Sequence, residues 1–181
     1  MRILLPFDGI FSLNMQKYLS SMLRLQHQFP RNSDTIRAET EVREIGSLFE
    51  ISAYETSASD FFGRILREHA DLVLDVRLKN GSQLCGFTKK KDLAYFVPAI
   101  CGAVYIHDVF FTPEPELLDR YLHGWIRWEE YAQRYRASME SRDAAGYFEE
   151  HYGKYSDVCL IGTSTRKRRS HSEILSELLQ G

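Results

Sequence analysis

Four apolar runs in this chain each end in a cluster of polar and ionisable residues, and chemistry would be sought at those clusters. Tyr54 and Glu55 close the first run, ahead of Thr56, Ser57 and Ser59. Asp75 and Arg77 close the second, ahead of Lys79, Asn80, Ser82 and Gln83. His107 and Asp108 close the third. Thr163, Ser164 and Thr165 close the fourth, ahead of the basic run Arg166, Lys167, Arg168, Arg169 and then His171. These types suit recognition of a phosphate or carboxylate. Arginine offers a rigid planar fork to an anion, and helix starts offer free N–H groups and a positive dipole end. They also suit proton transfer, with Glu55 or Asp75 as base and His107 or His171 as acid or base. The candidate catalytic set is therefore Asp75, Arg77, His107 and His171. The candidate ligand contacts are Tyr54, Glu55, Ser82, Gln83, Lys89 and Arg168.

Plainer roles are open to the same residues. Asp75 and Arg77 sit two apart on one strand and share a face, which suits a structural ion pair equally well. His107 suits a half-buried core position, and Thr56, Ser57 and Ser59 suit helix capping. The basic run suits a solvated loop as well as an anion contact. No HxH, HxxxH or clustered Cys/His spacing calls for a metal, and no GxSxG, GxGxxG or GxxxxGK[ST] pattern calls for a triad, a dinucleotide cofactor or a P-loop. No cofactor is expected. Cys85, Cys101 and Cys159 are sparse, odd in number and without CxxC spacing, and read as small apolar residues.

The elements that must carry these clusters alternate along the chain. Strands are predicted over Leu48–Tyr54, Asp71–Leu78, Ala103–Phe111 and Asp157–Thr163, from apolar and β-branched runs. Helices are predicted between them. One starts at Ser57–Ser59 with Phe61, Phe62, Ile65 and Leu66 inward; one runs from a Thr88 cap to Gly102 and carries Pro98; one opens at Thr112 and Pro113 and ends at Gly124. A long helical region from Trp125 to Gly153 shows Trp125, Trp128, Tyr131, Tyr135 and Met139 at three- and four-residue steps, a stripe assigned to core packing. A closing helix is capped by Ser170 or Ser172. Strand–helix alternation of this kind predicts a three-layer Rossmann-like α/β domain with a short, mostly parallel sheet flanked by helices. In such sheets ligands bind beyond the carboxyl ends of the strands, which gathers the four clusters at one edge. Residues 1–45 read as a small N-terminal helical extension and polar linker, with Met15, Leu19, Met22 and Leu23 on one helix face. Residues 46–181 read as the main domain.

Bulk properties fit this reading. The 181 residues suffice for one domain with a buried core. A hydrophobic share of 44% and a charged share of 27% are those of a globular chain. A formal net charge of −2 supplies no global attraction to nucleic acid or to an anionic membrane. No apolar run reaches membrane length and no cleavable leader pattern is present, so a cytoplasmic location is expected.

From about Leu48 to Leu179 the chain resembles the bacterial and archaeal family called domain of unknown function 488. The resemblance rests on Ile51-Ser52-Ala53-Tyr54-Glu55 after the first strand and on Asp75-Val76-Arg77. It also rests on the segment Ser82-Gln83-Leu84-Cys85-Gly86-Phe87-Thr88-Lys89-Lys90-Lys91-Asp92-Leu93, on Tyr105-Ile106-His107 and on Trp128-Glu129-Glu130-Tyr131. The C-terminal motif departs from the family pattern Leu-Leu-Cys-x-Glu, then Cys-His-Arg-Arg-x-Leu. Here Gly162 and Ser170 stand at the two cysteine positions, Ser164 at the glutamate and Ser172 at the first arginine, while His171 is retained. The resemblance implies a shared edge centred on Asp75, Arg77 and His107, and it implies no settled activity.

Three functions remain open on the sequence. The first is binding of a small anionic or nucleotide-like ligand at the sheet edge, with hydrolase- or transferase-type chemistry if the site is active. The second is a non-catalytic interaction or regulatory protein with an altered site, meeting a protein partner through the N-terminal helix. The third is association with nucleic acid through Arg166–Arg169 and Lys89–Lys91, which the acidic net charge disfavours.

Overall fold

The structure, a computed structural model, describes residues 46–81 and 83–181, with side chains of 83–85 excepted. The predicted N-terminal extension over 1–45 and Ser82 lie outside the described residues. The order is β1 (Ser47–Ser52), α1 (Ala58–Arg67), β2 (Leu72–Asp75), a 3-10 segment (Gln83–Thr88) and α2 (Lys90–Phe96). One π-turn (Val97–Cys101), β3 (Val104–His107), a 3-10 turn (Val109–Phe111) and α3 (Pro115–Leu122) follow. The chain closes with α4 (Trp128–Ser141), α5 (Ala144–Tyr152), β4 (Asp157–Gly162) and α6 (His171–Gln180).

The four strands form one sheet, ordered β1-β4-β2-β3 and parallel throughout. The fold is an α/β, Rossmann-like one with six α-helices among the described residues. Side-chain alternation divides the core in two, because successive strand residues point to opposite faces. Leu72, Leu74, Val76, Val158 and Leu160 pack against Phe111, Leu117, Tyr131, Tyr135, Phe148 and Leu175 from α3–α6 and the turn before them. Val73, Cys159 and Ile161 face the other way, onto Phe61, Phe62 and Ile65 of α1 and Leu93 of α2. β2 and β4, covered on both faces, read as near-continuous apolar runs, as buried parallel strands do.

The strands are shorter than their apolar runs suggest. β2 stops at Asp75 because Asp75 and Arg77 bond to each other; the predicted third strand stops at His107, where Asp108 turns the chain by accepting from Phe110 N at 2.8 Å. Helix boundaries also move. α2 starts at Lys90 with Lys89 rather than Thr88 at its N-cap position, and the Thr88 hydroxyl donates to Ala53 O at 3.3 Å. Pro98 lies in the π-turn beyond α2, as a residue lacking an N–H donor would. α3 begins with Pro115 at its first position rather than at Thr112. The long helical region is two helices. Asp143 adopts φ 50, ending α4's path, and its carboxylate accepts from Gly146 N at 3.3 Å to start α5. Ser57 caps α1, and Ser170 caps α6 in a reciprocal box with Glu173. Among the described residues no helix is long and apolar enough to cross a membrane.

Insertion of β4 between β1 and β2 determines where a ligand would fit. The chain leaves β1 and β2 toward the α1/α2 face but leaves β4 toward the α6 face. Neighbouring strands whose exits diverge in this way open a crevice at their carboxyl ends.

Candidate functional site

Just past β2 the Val76 N–H still donates to Ile161 O of β4 at 3.4 Å, and the Val76 and Arg77 carbonyls turn to side chains. A buried carbonyl in that position needs a donor. His171, the first residue of α6, places Nε2 2.8 Å from Val76 O. His107, at the end of β3, places Nε2 2.8 Å from Arg77 O. A carbonyl only accepts, so each ring carries its proton on Nε2. Two histidines from different elements thus hold consecutive carbonyls of one segment. His171 is 2% exposed. Burial pushes its pKa down to about 4, with the Val76 hydrogen bond and the Asp75 charge opposing. It is a neutral imidazole at neutral pH.

Asp75 and Arg77 are both fully buried. Asp75 Oδ1 accepts from Arg77 Nε at 2.7 Å and from the Arg77 backbone N–H at 3.2 Å. Oδ2 accepts from Arg77 Nη2 at 2.7 Å, Asn80 Nδ2 at 2.9 Å and the Tyr105 hydroxyl at 2.7 Å. Arg77 Nη2 also donates to Thr88 O at 2.7 Å. Burial alone would raise the Asp75 pKa. The Arg77 hydrogen bonds and charge, with Tyr105 and Asn80, more than offset it and hold the carboxyl below its ordinary value. The pair fastens the end of β2 to β3 and to the segment before α2, and its carboxylate oxygens are occupied by protein donors.

Above this network lies a cleft of about 270 Å³. Tyr54 after β1, Leu78 and Lys79 after β2 and Thr163 after β4 contribute to its wall. Ser170 and His171 of α6, Arg168 and Arg169 of the preceding loop, Leu118, Tyr121 and Leu122 of α3 and Tyr131 of α4 complete it. The basic run forms a tight turn, with Thr165 N–H donating to Arg168 O at 2.8 Å and Arg168 N–H to Thr165 O at 3.2 Å. Arg169 is engaged: its Nε donates to Glu173 at 2.7 Å, and its guanidinium lies 4.4 Å from the Trp128 ring centroid. Lys79 and Arg168 have no carboxylate partner among the described residues. Among the described residues the cleft wall itself contains no carboxylate.

A family model described as "Domain of unknown function DUF488" matches residues 57–179. The chain belongs to that family. Nothing among curated proteins or solved structures matches it. The match to the DUF488 domain includes the Asp75-Val76-Arg77, Tyr105-Ile106-His107 and Trp128-Tyr131 motifs and begins just after the Ile51–Glu55 turn. In this DUF488 chain the end of β4 and the start of α6 form a packed hydroxyl cluster. Ser170 Oγ accepts from Thr163 N–H at 3.1 Å and from the Ser172 hydroxyl at 3.1 Å. A Cβ on Gly162 would collide with both serine side chains. Gly162 therefore belongs to this arrangement.

Of the other residues expected at the site, Tyr54 and Arg168 line the cleft and Glu55 does not. Glu55 is exposed, at φ 52, and its carboxylate accepts from Arg166 N–H at 2.7 Å, tying the turn after β1 to the basic turn. Lys89 occupies the N-cap position of α2. Gln83 starts the 3-10 segment, and its side chain lies outside the described residues. Asp108 accepts from the hydroxyls of Tyr147 at 3.2 Å and Tyr152 at 2.7 Å, and so anchors α5. Among the described residues no group of three His, Cys, Asp or Glu side chains is arranged to hold a metal ion. Sequence reasoning missed Tyr121 and Tyr131 as cleft residues. Helical spacing marks Tyr131 only as part of an aromatic stripe and does not single out Tyr121, and nothing in that spacing distinguishes a core tyrosine from one beside a cleft.

Proposed function

We propose that the cleft binds a small phosphorylated compound with a flat or apolar body, of the nucleotide-like class, and binds it without covalent chemistry. The observation that carries this reading is the pair Lys79 and Arg168. These are two cations without carboxylate partners among the described residues, on a wall that also carries Tyr54, Tyr121 and three leucines, at the crevice where the strand order reverses. A phosphate monoester carries close to two negative charges at neutral pH and matches two cations. The volume of about 270 Å³ lies just under the roughly 300–1,000 Å³ typical of small-molecule sites, which restricts the ligand to a mononucleotide-sized compound or smaller.

Binding is favoured over hydrolysis by the state of the ionisable groups. Asp75 is saturated by protein donors and His171 is neutral with its Nε2 proton committed to Val76 O. In this reading Asp75, Arg77, His107 and His171 position the crevice instead of reacting with its ligand.

Thermal unfolding of the full chain with adenosine monophosphate, adenosine and inorganic phosphate tests the reading. At a hundredfold excess over Kd, binding stabilises by about 2.7 kcal/mol, which for a domain of this size raises Tm by about 5–10 °C. The nucleotide is expected to stabilise most, and Lys79→Ala and Arg168→Ala to remove the effect. No stabilisation by any probe, or an equal effect in both variants, would overturn it.

A further inference from the structure

Three tyrosines stack through the helical layer beneath the cleft. Tyr121 and Tyr131 lie 4.4 Å apart at 18°, and Tyr131 and Tyr135 lie 6.5 Å apart at 11°. The outer two are satisfied: the Tyr135 hydroxyl donates to Phe111 O at 2.7 Å, and the Tyr121 hydroxyl to Arg169 O at 3.4 Å. The middle one is not. Tyr131 is 1% exposed, and its hydroxyl is the one buried tyrosine hydroxyl without a hydrogen-bond partner among the described residues. Tyr131 also lines the cleft.

A buried hydroxyl left unpaired costs about 1–3 kcal/mol, and phenylalanine would keep the same stack without that cost. A packing role alone does not account for the oxygen. A partner that arrives with a ligand does. The groups around the cleft indicate what that partner carries. Lys79 and Arg168 attract an anion, and a buried hydroxyl donates more strongly to a charged oxygen than to a neutral one.

We infer that the Tyr131 hydroxyl is the specificity-determining donor of the cleft, and that it takes a phosphoryl oxygen of the bound compound. The inference rests on the proposed ligand reading and adds to it a residue and a contact. Lys79 and Arg168 bring the anion in by charge alone. Tyr131 selects a ligand whose phosphate reaches the wall of the cleft, and a ligand lacking that group leaves the hydroxyl unpaired.

Calorimetric titration of adenosine monophosphate and of adenosine into the full chain and its Tyr131→Phe variant tests this, with the Tm of each protein measured alongside. The expected result is a roughly tenfold weaker affinity of the variant for the nucleotide. Adenosine affinity is expected to be unchanged, and the variant's Tm to equal or exceed that of the wild type. Wild-type nucleotide affinity in the variant overturns the inference and leaves the cleft reading standing. Equal weakening of nucleotide and nucleoside overturns the assignment to phosphate. A variant Tm lower by several degrees overturns it too, because the hydroxyl then has a structural partner. Absence of nucleotide binding by the wild type overturns both readings together.

Discussion

Acid should loosen this domain through His171 before it reaches the carboxylates. The ring is 2% exposed and donates from Nε2 to Val76 O, and burial sets its pKa at about 4 against 6.5 for a free histidine. Between those two values the unfolded chain binds a proton that the folded chain refuses. Unfolding free energy therefore rises with pH across that window. The stability that neutral His171 provides is complete above pH 6.5 and is lost as pH falls to about 4. The interval corresponds to about 3 kcal/mol. Two other perturbed carboxyls do not mimic it. Asp75 is held below its ordinary 3.8, so its contribution is lost only at lower pH, and Glu50 is raised above 4.5, so its contribution grows on acidification. Urea unfolding at intervals from pH 7.5 to 4, on the wild type and on His171→Gln, isolates the effect. Glutamine retains an N–H donor and does not titrate. The wild type is predicted to lose about 3 kcal/mol more than the variant over this range, with unchanged m-values. Parallel loss in the two proteins would refute the reasoning.

Three further outcomes follow from the geometry. Asp75→Asn should destabilise by about 3–5 kcal/mol, because it leaves Arg77 as an uncompensated buried charge; a loss under about 1 kcal/mol in urea unfolding would contradict the network. Ser170→Ala should cost about 2 kcal/mol, the upper end for an N-cap, because the same oxygen also accepts from Thr163 N–H and the Ser172 hydroxyl. Gly162→Ala should cost about 1–3 kcal/mol by overpacking, and adding Ser172→Ala should restore part of it; no restoration would mean the collision lies elsewhere.

The layer architecture was legible because buried parallel strands write themselves as continuous apolar runs. Leu72–Leu74 and Val158–Ile161 are examples, and their exits to opposite faces followed once the strands were placed. Element ends were less legible. The break at Asp143 depends on one carboxylate finding Gly146 N–H and one residue tolerating a left-handed backbone, and helical periodicity runs through it undisturbed. At the sheet edge, the segments after β1, β2 and β4 all contribute to the wall of one cleft. The individual parts were harder. Asp75, Arg77 and His171 are marked by their chemistry, yet burial and hydrogen bonding turn them toward the protein itself. Lys79 falls in a cluster that the strand rule puts at the same edge as Arg168, but nothing in sequence separates it from its loop neighbours as a cleft residue. Tyr131 is indistinguishable from Tyr135 by spacing, and the difference between them is one hydrogen bond to Phe111 O.

The central claim is that Lys79, Arg168 and Tyr131 bound a phosphate site, and a crystal structure of the full chain grown with adenosine monophosphate tests it most directly. The account predicts the phosphate between Lys79 and Arg168, with one oxygen within hydrogen-bond distance of the Tyr131 hydroxyl, about 2.5–3.0 Å. An empty cleft, or the nucleotide seated on the Arg166–Lys167 turn and away from Tyr131, would contradict it.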